Sequence, residues 1–365
     1  MIEPTRPRVL LLADAPGIGG AEQSLAHLLT HAGPEWDLHL AGTAPAVVEW
    51  IGAHRPEVPR SVVGPGPVPA ARLLRRVRPD LLHANQCSPW ASGGALAAAQ
   101  ALGVRTVAVE QLPLRTTRLP ELLRVRALAV RLDAHVAVSD AAARRTEDFF
   151  ALGRRSVRTV HNGVPDLPAG PAPARRGGAL RVACAGRLDP AKGHDVLLRA
   201  LAELPGVEAV VYGEGAYRPE LEKLAADLGV ADRVELPGRT PDVRDRLPAA
   251  DVFCLPSRSE GFPLALVEAM LAGRACVAST AGGMPEALDG GCGLLVPPDD
   301  PAALAGALRR LAGDPAERAR LGSAARRRAA ARFTAARMAA GHEQVWRDVL
   351  AAPRRPRLRV PAPRP

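Results

Sequence analysis

Lysine is nearly missing from this chain: of 48 basic residues only two are lysines, Lys192 and Lys223. The matching excess of Ala, Arg and Pro fits a bias toward GC-rich codons. Under that bias a retained lysine points to a place that needs a compact ammonium rather than a planar guanidinium. Asparagine is as scarce, at Asn85 and Asn162. The five cysteines (Cys87, Cys184, Cys254, Cys276, Cys292) form no C-x-x-C and have no histidine pair at ligand spacing. This argues against a zinc site or disulfide framework and reads as buried small hydrophobes in a reducing cytosol. No stretch near ~20 residues is uniformly apolar, so a membrane-spanning helix is not expected. The opening MIEPTRPRVLLLADAPG has no small-residue cleavage site, and no signal peptide is expected. A P-loop is excluded because no G-K-[ST] occurs.

What is present suits a two-domain globular protein: 365 residues, of which 47% are apolar. The net charge is +10, and the closing PRRPRLRVPAPRP carries five arginines and no acid. Such a Pro-rich tail cannot build a packed element. It could meet anionic lipid or nucleic acid; a solvated, disordered end at 352–365 is the reading taken, with no nucleic-acid partner.

Apolar runs alternate with helix-like Ala/Leu/Arg segments along the whole chain. Runs such as Val9–Leu12, Leu81–His83, Val104–Val109, Arg181–Ala185, Val252–Leu255 and Ala275–Ala278 are solidly apolar. That pattern belongs to parallel strands covered on both faces by helices. The Pro/Gly/Arg-rich stretch 166–179 reads as a linker. It separates a Rossmann-like domain over 1–165 from a second over 180–338. A last helix over 339–351 is expected to pack back across the junction. Two doubly wound domains facing a central cleft would direct the carboxyl ends of both sheets, where ligands bind in such sheets, into it.

Four segments carry chemistry. In PSRSEGFPLALVEAMLAG (Pro256–Gly273) a strand leads through Glu260 and Gly261-Phe262-Pro263 into a helix. Pro263 suits the first helical turn, and the amides of Gly261 to Leu264 would form a phosphate seat. Glu268, about one and a half turns in, cannot bind an anion, so its partners would be hydroxyls such as a ribose diol. Glu260 is placed for hydroxyls on the far side of the phosphate. The plainer alternative is an N-cap for Glu260 and a surface position for Glu268. In CAGRLDPAKGHDVLLRAL, Arg187 and Lys192 follow a strand at a spacing that would clamp a diphosphate and stabilise its charge as it leaves; ordinary surface cations are the alternative. Gly213-Glu214-Gly215 and Arg239 would line the same place, the last beside a base, although a tight turn explains G-x-G equally well. The Gly17, Gly19 and Gly20 turn gives G-x-G-G, which fails the dinucleotide fingerprint. His83, Glu110 and Asn162 lie at strand ends or turns and are candidate sugar or acceptor contacts. The absence of D-x-D leads to no metal and no cofactor beyond the nucleotide-sugar substrate.

Taken together, GGAE near the start, VAVSD, HNGV, AGRLDPAKG, GEG, S-x-x-E-G-F-P-L-A-L-V-E-A-M, GGMPE and GLLVPPDDP resemble a family-4 glycosyltransferase of the GT-B fold, over nearly all of residues 8–350. The resemblance implies retention of anomeric configuration and a donor held mainly by the second domain. By the counterparts of these residues, Arg187 and Lys192 would hold the diphosphate, Glu260 would meet the sugar and Glu268 the ribose. The Gly19-Gly20 turn would approach the phosphates. It implies a leaving phosphate oxygen that takes the acceptor's proton. Where many relatives have a histidine after the strand matching Val104–Val109, this chain has Glu110-Gln111.

The expected function is therefore metal-independent transfer of a hexose from a UDP- or GDP-sugar to an acceptor hydroxyl in cell-envelope, polysaccharide or natural-product glycoside synthesis. The alternatives are a nucleotide-sugar epimerase on the same scaffold and a non-catalytic nucleotide-sugar-binding module. The expected location is cytoplasmic. The segment Arg115–Leu132 has five arginines and one acid among apolar residues and could dock on anionic membrane at its inner face.

Overall fold

Solidly apolar runs become strands in the computed structural model, which describes residues 6–166, 178–240 and 243–353. The first half carries β1 (Arg8–Ala13), β2 (Asp37–Gly42), β3 (Arg60–Val62), β4 (Leu81–Gln86), β5 (Arg105–Glu110), β6 (Ala134–Ala137) and β7 (Val157–Thr159). The second carries β8 (Leu180–Ala185), β9 (Val207–Tyr212), β10 (Val234–Gly238), β11 (Val252–Leu255), β12 (Ala275–Ser279) and β13 (Leu294–Val296). Their orders are β3-β2-β1-β4-β5-β6-β7 and β10-β9-β8-β11-β12-β13. Neighbours pair in parallel throughout, from β1 with β2 and β4 to β12 with β13. Strands β4, β5, β11 and β12 are buried at every residue, as strands covered on both faces must be.

The expected strands are all present, with ends shifted by at most three residues. Two three-residue strands, β3 and β7, are additions that periodicity does not reveal. Helix starts follow ordinary capping chemistry. Asp300 and Asp314 accept from the backbone N–H of Ala303 (2.8 Å) and Glu317 (2.9 Å), each ahead of a proline in the first turn.

By packing, Met1–Ala137, Ala143–Val160 and Ala339–Pro365 form one unit, and Val138–Ala142 with His161–Met338 form the other. Each has its own core. Leu10, Leu12, Leu74, Leu82 and Leu96 lie in the first; Val182, Leu197, Val211, Val252 and Leu308 lie in the second. The expected linker and basic tail fall mostly outside the described residues, at 167–177 and 354–365.

The part of the helix Ala335–Ala351 that belongs to the first unit is anchored by Trp346, which is fully buried. Its ring meets Trp36 edge-on at 5.2 Å, and its Nε1–H donates to His83 Nδ1 at 3.2 Å.

In both sheets the chain turns back beside its first strand, so switch points fall between β1 and β4 and between β8 and β11. Loops leaving the carboxyl ends of such a strand pair diverge and leave room for a ligand.

Candidate active site

The second switch point collects the cations and acids picked out in the sequence. After β8 come Arg187 and a 3₁₀ turn, Pro190–Lys192; after β11 comes the loop that ends at Pro263. The two loops are tied by backbone: Arg258 N–H donates to the Ala191 carbonyl at 2.7 Å. They are also tied by side chain. Lys192 Nζ donates to Glu260 Oε1 at 2.6 Å, and Ser257 Oγ donates to the same oxygen at 2.9 Å. Glu260 is 8% exposed and Lys192 22%, so the pair is reached by solvent mainly from the lysine side.

Arg187 is open, with 71% of its side chain exposed, and its charge rests on Asp189 at 2.5 Å. The turn from β9 runs alongside. Gly213 (φ +157°) lies so close to the Gly186 carbonyl that a Cβ would stand 1.9 Å from its oxygen. Backbone crowding therefore demands the glycine. Glu214 is paired with Arg218 at 2.9 Å, and Arg239 is exposed just after β10.

The helix after β11 runs Leu264–Leu271, and Pro263 is its extended N-cap (φ −78°, ψ 119°) rather than part of the first turn. The unpaired helical amides thus begin at Leu264. Gly261 contributes a carbonyl, which accepts from Ser139 Oγ at 3.0 Å and from Gly283 N–H at 2.9 Å. Phe262 points into a ring cluster with His161 (4.8 Å) and Phe333 (5.0 Å). Its side chain is structural.

Glu268 is not a surface residue: it is 5% exposed. Burial pushes its carboxyl up to about 7, against the opposing pull of Arg244. Its Oε1 and Arg244 Nε are both buried without a hydrogen-bond partner and stand 3.9 Å apart.

Three expected sugar or acceptor contacts are occupied inside the protein. His83 is 1% exposed and packs against His342 and Trp346; burial holds its imidazole well below the usual range. Glu110, on the buried β5, has no exposure and bonds His135 Nε2 at 3.1 Å. Asn162 is buried and donates to the Phe262 carbonyl at 3.3 Å. In the first unit, Gly19 N–H is taken by Glu22 Oε2 at 2.8 Å in a capping box at the start of the helix Gly20–His31. That correction removes one amide from the expected phosphate turn; Gly20 is exposed.

Sequence reading missed Arg258. Its guanidinium reaches Asp195 Oδ1 and Oδ2 at 2.8 and 2.7 Å and Asp299 at 2.5 Å, bracing the Glu260 loop against the Lys192 turn. Among the described residues no three His, Cys, Asp or Glu side chains gather as a metal site. A concavity of about 720 Å³ along β13, between Leu288, Leu295, Ala303 and Arg310, includes none of the residues above.

Two family models match the chain: Glycosyltransferase Family 4 over residues 18–166 and Glycosyl transferases group 1 over residues 172–328. An MMP α-(1→4)-mannosyltransferase of Mycolicibacterium hassiacum is 32% identical over 309 residues, 77% of this chain and 74% of that protein. The chain belongs to the family-4 glycosyltransferases. A D-inositol 3-phosphate glycosyltransferase of Streptomyces avermitilis is 39% identical over 205 residues, 49% of this chain and 44% of the relative. The match thus spans less than half the length of that relative. Among solved structures, Anabaena HepE in complex with UDP has a TM-score of 0.82 at 22% identity, over 93% of this chain and all of HepE. The fold of this family-4 member is GT-B, with two Rossmann-like domains. No helix among its described residues is long and apolar enough to cross a membrane.

Proposed function

We propose that the chain is a retaining, metal-independent hexosyltransferase that uses a UDP- or GDP-sugar and delivers the sugar to an acceptor hydroxyl. The observation that carries this reading is the Lys192–Glu260 pair at the second switch point, 2.6 Å apart, between Arg187 and the N-terminus of the helix Leu264–Leu271. An ammonium has three donors, so Lys192 can keep Glu260 while binding a phosphate oxygen. Glu260 is then held beside the first sugar and accepts from its hydroxyls. Arg187, which is exposed, takes the outer phosphate oxygens, and the helical amides from Leu264 take the inner ones. Glu268 accepts from the ribose, with Arg239 near the base.

In the transfer step the bond from the anomeric carbon to the diphosphate oxygen breaks, and a bond to the acceptor oxygen forms on the same face. The acceptor's proton goes to the departing phosphate oxygen. Arg187, Lys192 and the helix dipole stabilise the charge that develops on the diphosphate, the term that dominates such catalysis.

The choice of UDP or GDP follows the relatives. HepE is solved with UDP and with UDP-glucose. A Mycolicibacterium smegmatis mannosyltransferase, 38% identical over 161 residues, is named as GDP-mannose-dependent. Cell-envelope or other glycoside synthesis in the cytoplasm is the setting proposed. The helix Leu119–Ala129 supports docking on anionic membrane. Leu119 (63% exposed) and Leu123 (57%), with Val130 (56%) just beyond, share its outer face with the exposed Arg124 and Arg131.

The test is product analysis. The protein is incubated with UDP- or GDP-hexoses and hydroxyl acceptors, and the glycoside is examined by NMR. An α-linked product from an α-linked donor, formed equally with EDTA, is expected. Free nucleotide with no glycoside would favour an epimerase, and binding without turnover would favour a non-catalytic module.

A further inference from the structure

Arg244 stands where two separate pieces of the second unit meet the donor helix. It lies on the short helix Val243–Arg246, which packs on Leu264–Leu271. Its NH2 group donates to the Pro165 carbonyl at 2.5 Å. Its Nε faces Glu268 Oε1 at 3.9 Å, and each of those two atoms is buried with no hydrogen-bond partner. Leaving both a carboxylate oxygen and a guanidinium N–H unsatisfied in the interior is costly. The arrangement makes physical sense where a ligand's hydroxyls complete it.

We propose that Arg244 is a positioning residue for donor binding: it clips the His161–Asp166 segment to the Glu268 carboxylate and holds that carboxylate ready to accept the ribose hydroxyls. The inference rests on the proposed role of Glu268 and adds a residue that the motifs do not mark.

Electrostatics agree with the geometry. Burial drives Glu268 toward its neutral form, which is a poor acceptor, and Arg244 is the charge that opposes this. Other charged groups on the packed elements are engaged elsewhere. Arg326 and Arg328 donate to the carbonyls of Leu271 and Ala287, and Arg318 to that of Leu311. Arg274 donates to those of Pro248 and Ala250. Glu317 pairs with Arg310 and Arg320. Glu286 accepts from His161 and the Asp140 and Ala141 amides. Asp245, Arg246, Arg327 and Arg332 are exposed.

The experiment is calorimetric titration of UDP and GDP into the full chain, into Arg244→Gln and into Arg244→Lys, at several pH values between 6 and 9. In the glutamine variant the pH midpoint of binding should move up by about one unit, so affinity drops about tenfold at pH 6 and recovers by pH 9. The lysine variant keeps a charge and should stay near the parent midpoint. A loss of affinity equal at every pH, or no loss, overturns the role of Arg244. A parent protein that binds neither nucleotide overturns the donor-site reading beneath it as well. Matching melting curves for the two variants and the parent exclude misfolding as the cause.

Discussion

Lys192 Nζ and Glu260 Oε1 lie 2.6 Å apart although 68 residues separate them in the chain. One sits in the turn after β8 and the other in the loop after β11, so the contact exists because those strands are neighbours at a switch point. Each side chain pre-orders the other before any ligand arrives. In the proposed transfer, such pre-ordering would lower what the site must reorganise during reaction.

The first prediction concerns that pair. Lys192→Ala removes one donor from the developing charge and should lower kcat/KM by about 10²–10³-fold. The fold should persist, because Ser257 still donates to Glu260. Transfer rate and thermal melting, measured together, check both halves.

Arg258 supports the pair from behind, through two oxygens of Asp195. Lysine cannot reproduce that two-pronged contact. Arg258→Lys should therefore weaken donor binding by roughly tenfold, the scale of one charge-assisted hydrogen bond. Steady-state kinetics should show the change in KM for the donor more than in kcat.

Glu268 gives a pH prediction. Its carboxyl is raised to about 7 in the folded chain, by burial. For an acid shifted upward, the folded state binds the proton more tightly than the unfolded one. The contribution to stability is then full below the unfolded value near 4.5 and is lost as pH rises through about 7. By linkage the loss is of order 3 kcal/mol. Glu268→Gln should therefore melt higher than the parent at pH 8 and no higher at pH 4, while losing nucleotide affinity. Melting curves at the two pH values test the sign.

His342 shows the opposite behaviour. Burial lowers its imidazole to about 4. The neutral form contributes stability above about 6.5 that is lost as pH falls toward 4. Its neighbour Trp346 is fully buried, so Trp346→Ala should cost the first unit about 3–5 kcal/mol. Denaturant unfolding followed by the remaining tryptophans would show it.

Membrane docking is tested on Leu119 and Leu123. Replacing both by Ser should release the protein from vesicles rich in anionic lipid and leave vesicle-free transfer unchanged, because both side chains face outward. Co-sedimentation reads the result.

Much of this fold was legible because parallel strands buried on both faces are unbroken apolar runs; Val252–Leu255 was read to the residue. The strands β3 and β7 were not, being three residues long and partly exposed. At the site, the rarity of lysine marked Lys192. The abundance of arginine hid Arg258 and Arg244 for the same compositional reason. The burial of His83 and Glu110 was not legible, because a position at a strand's carboxyl end does not say which face a side chain takes. Theirs turn into packed interior. The motif marked Glu268 as an acceptor for hydroxyls but not its burial, because one helix cannot reveal what packs on it; the burial comes from the elements around it.

The most direct test of the donor site is calorimetric titration of the parent and Lys192→Ala with UDP, GDP and ADP. The account predicts that the parent binds UDP or GDP in preference to ADP and that Lys192→Ala binds the same nucleotide at least tenfold more weakly. No binding to the parent at millimolar nucleotide, or equal binding by both proteins, would contradict it.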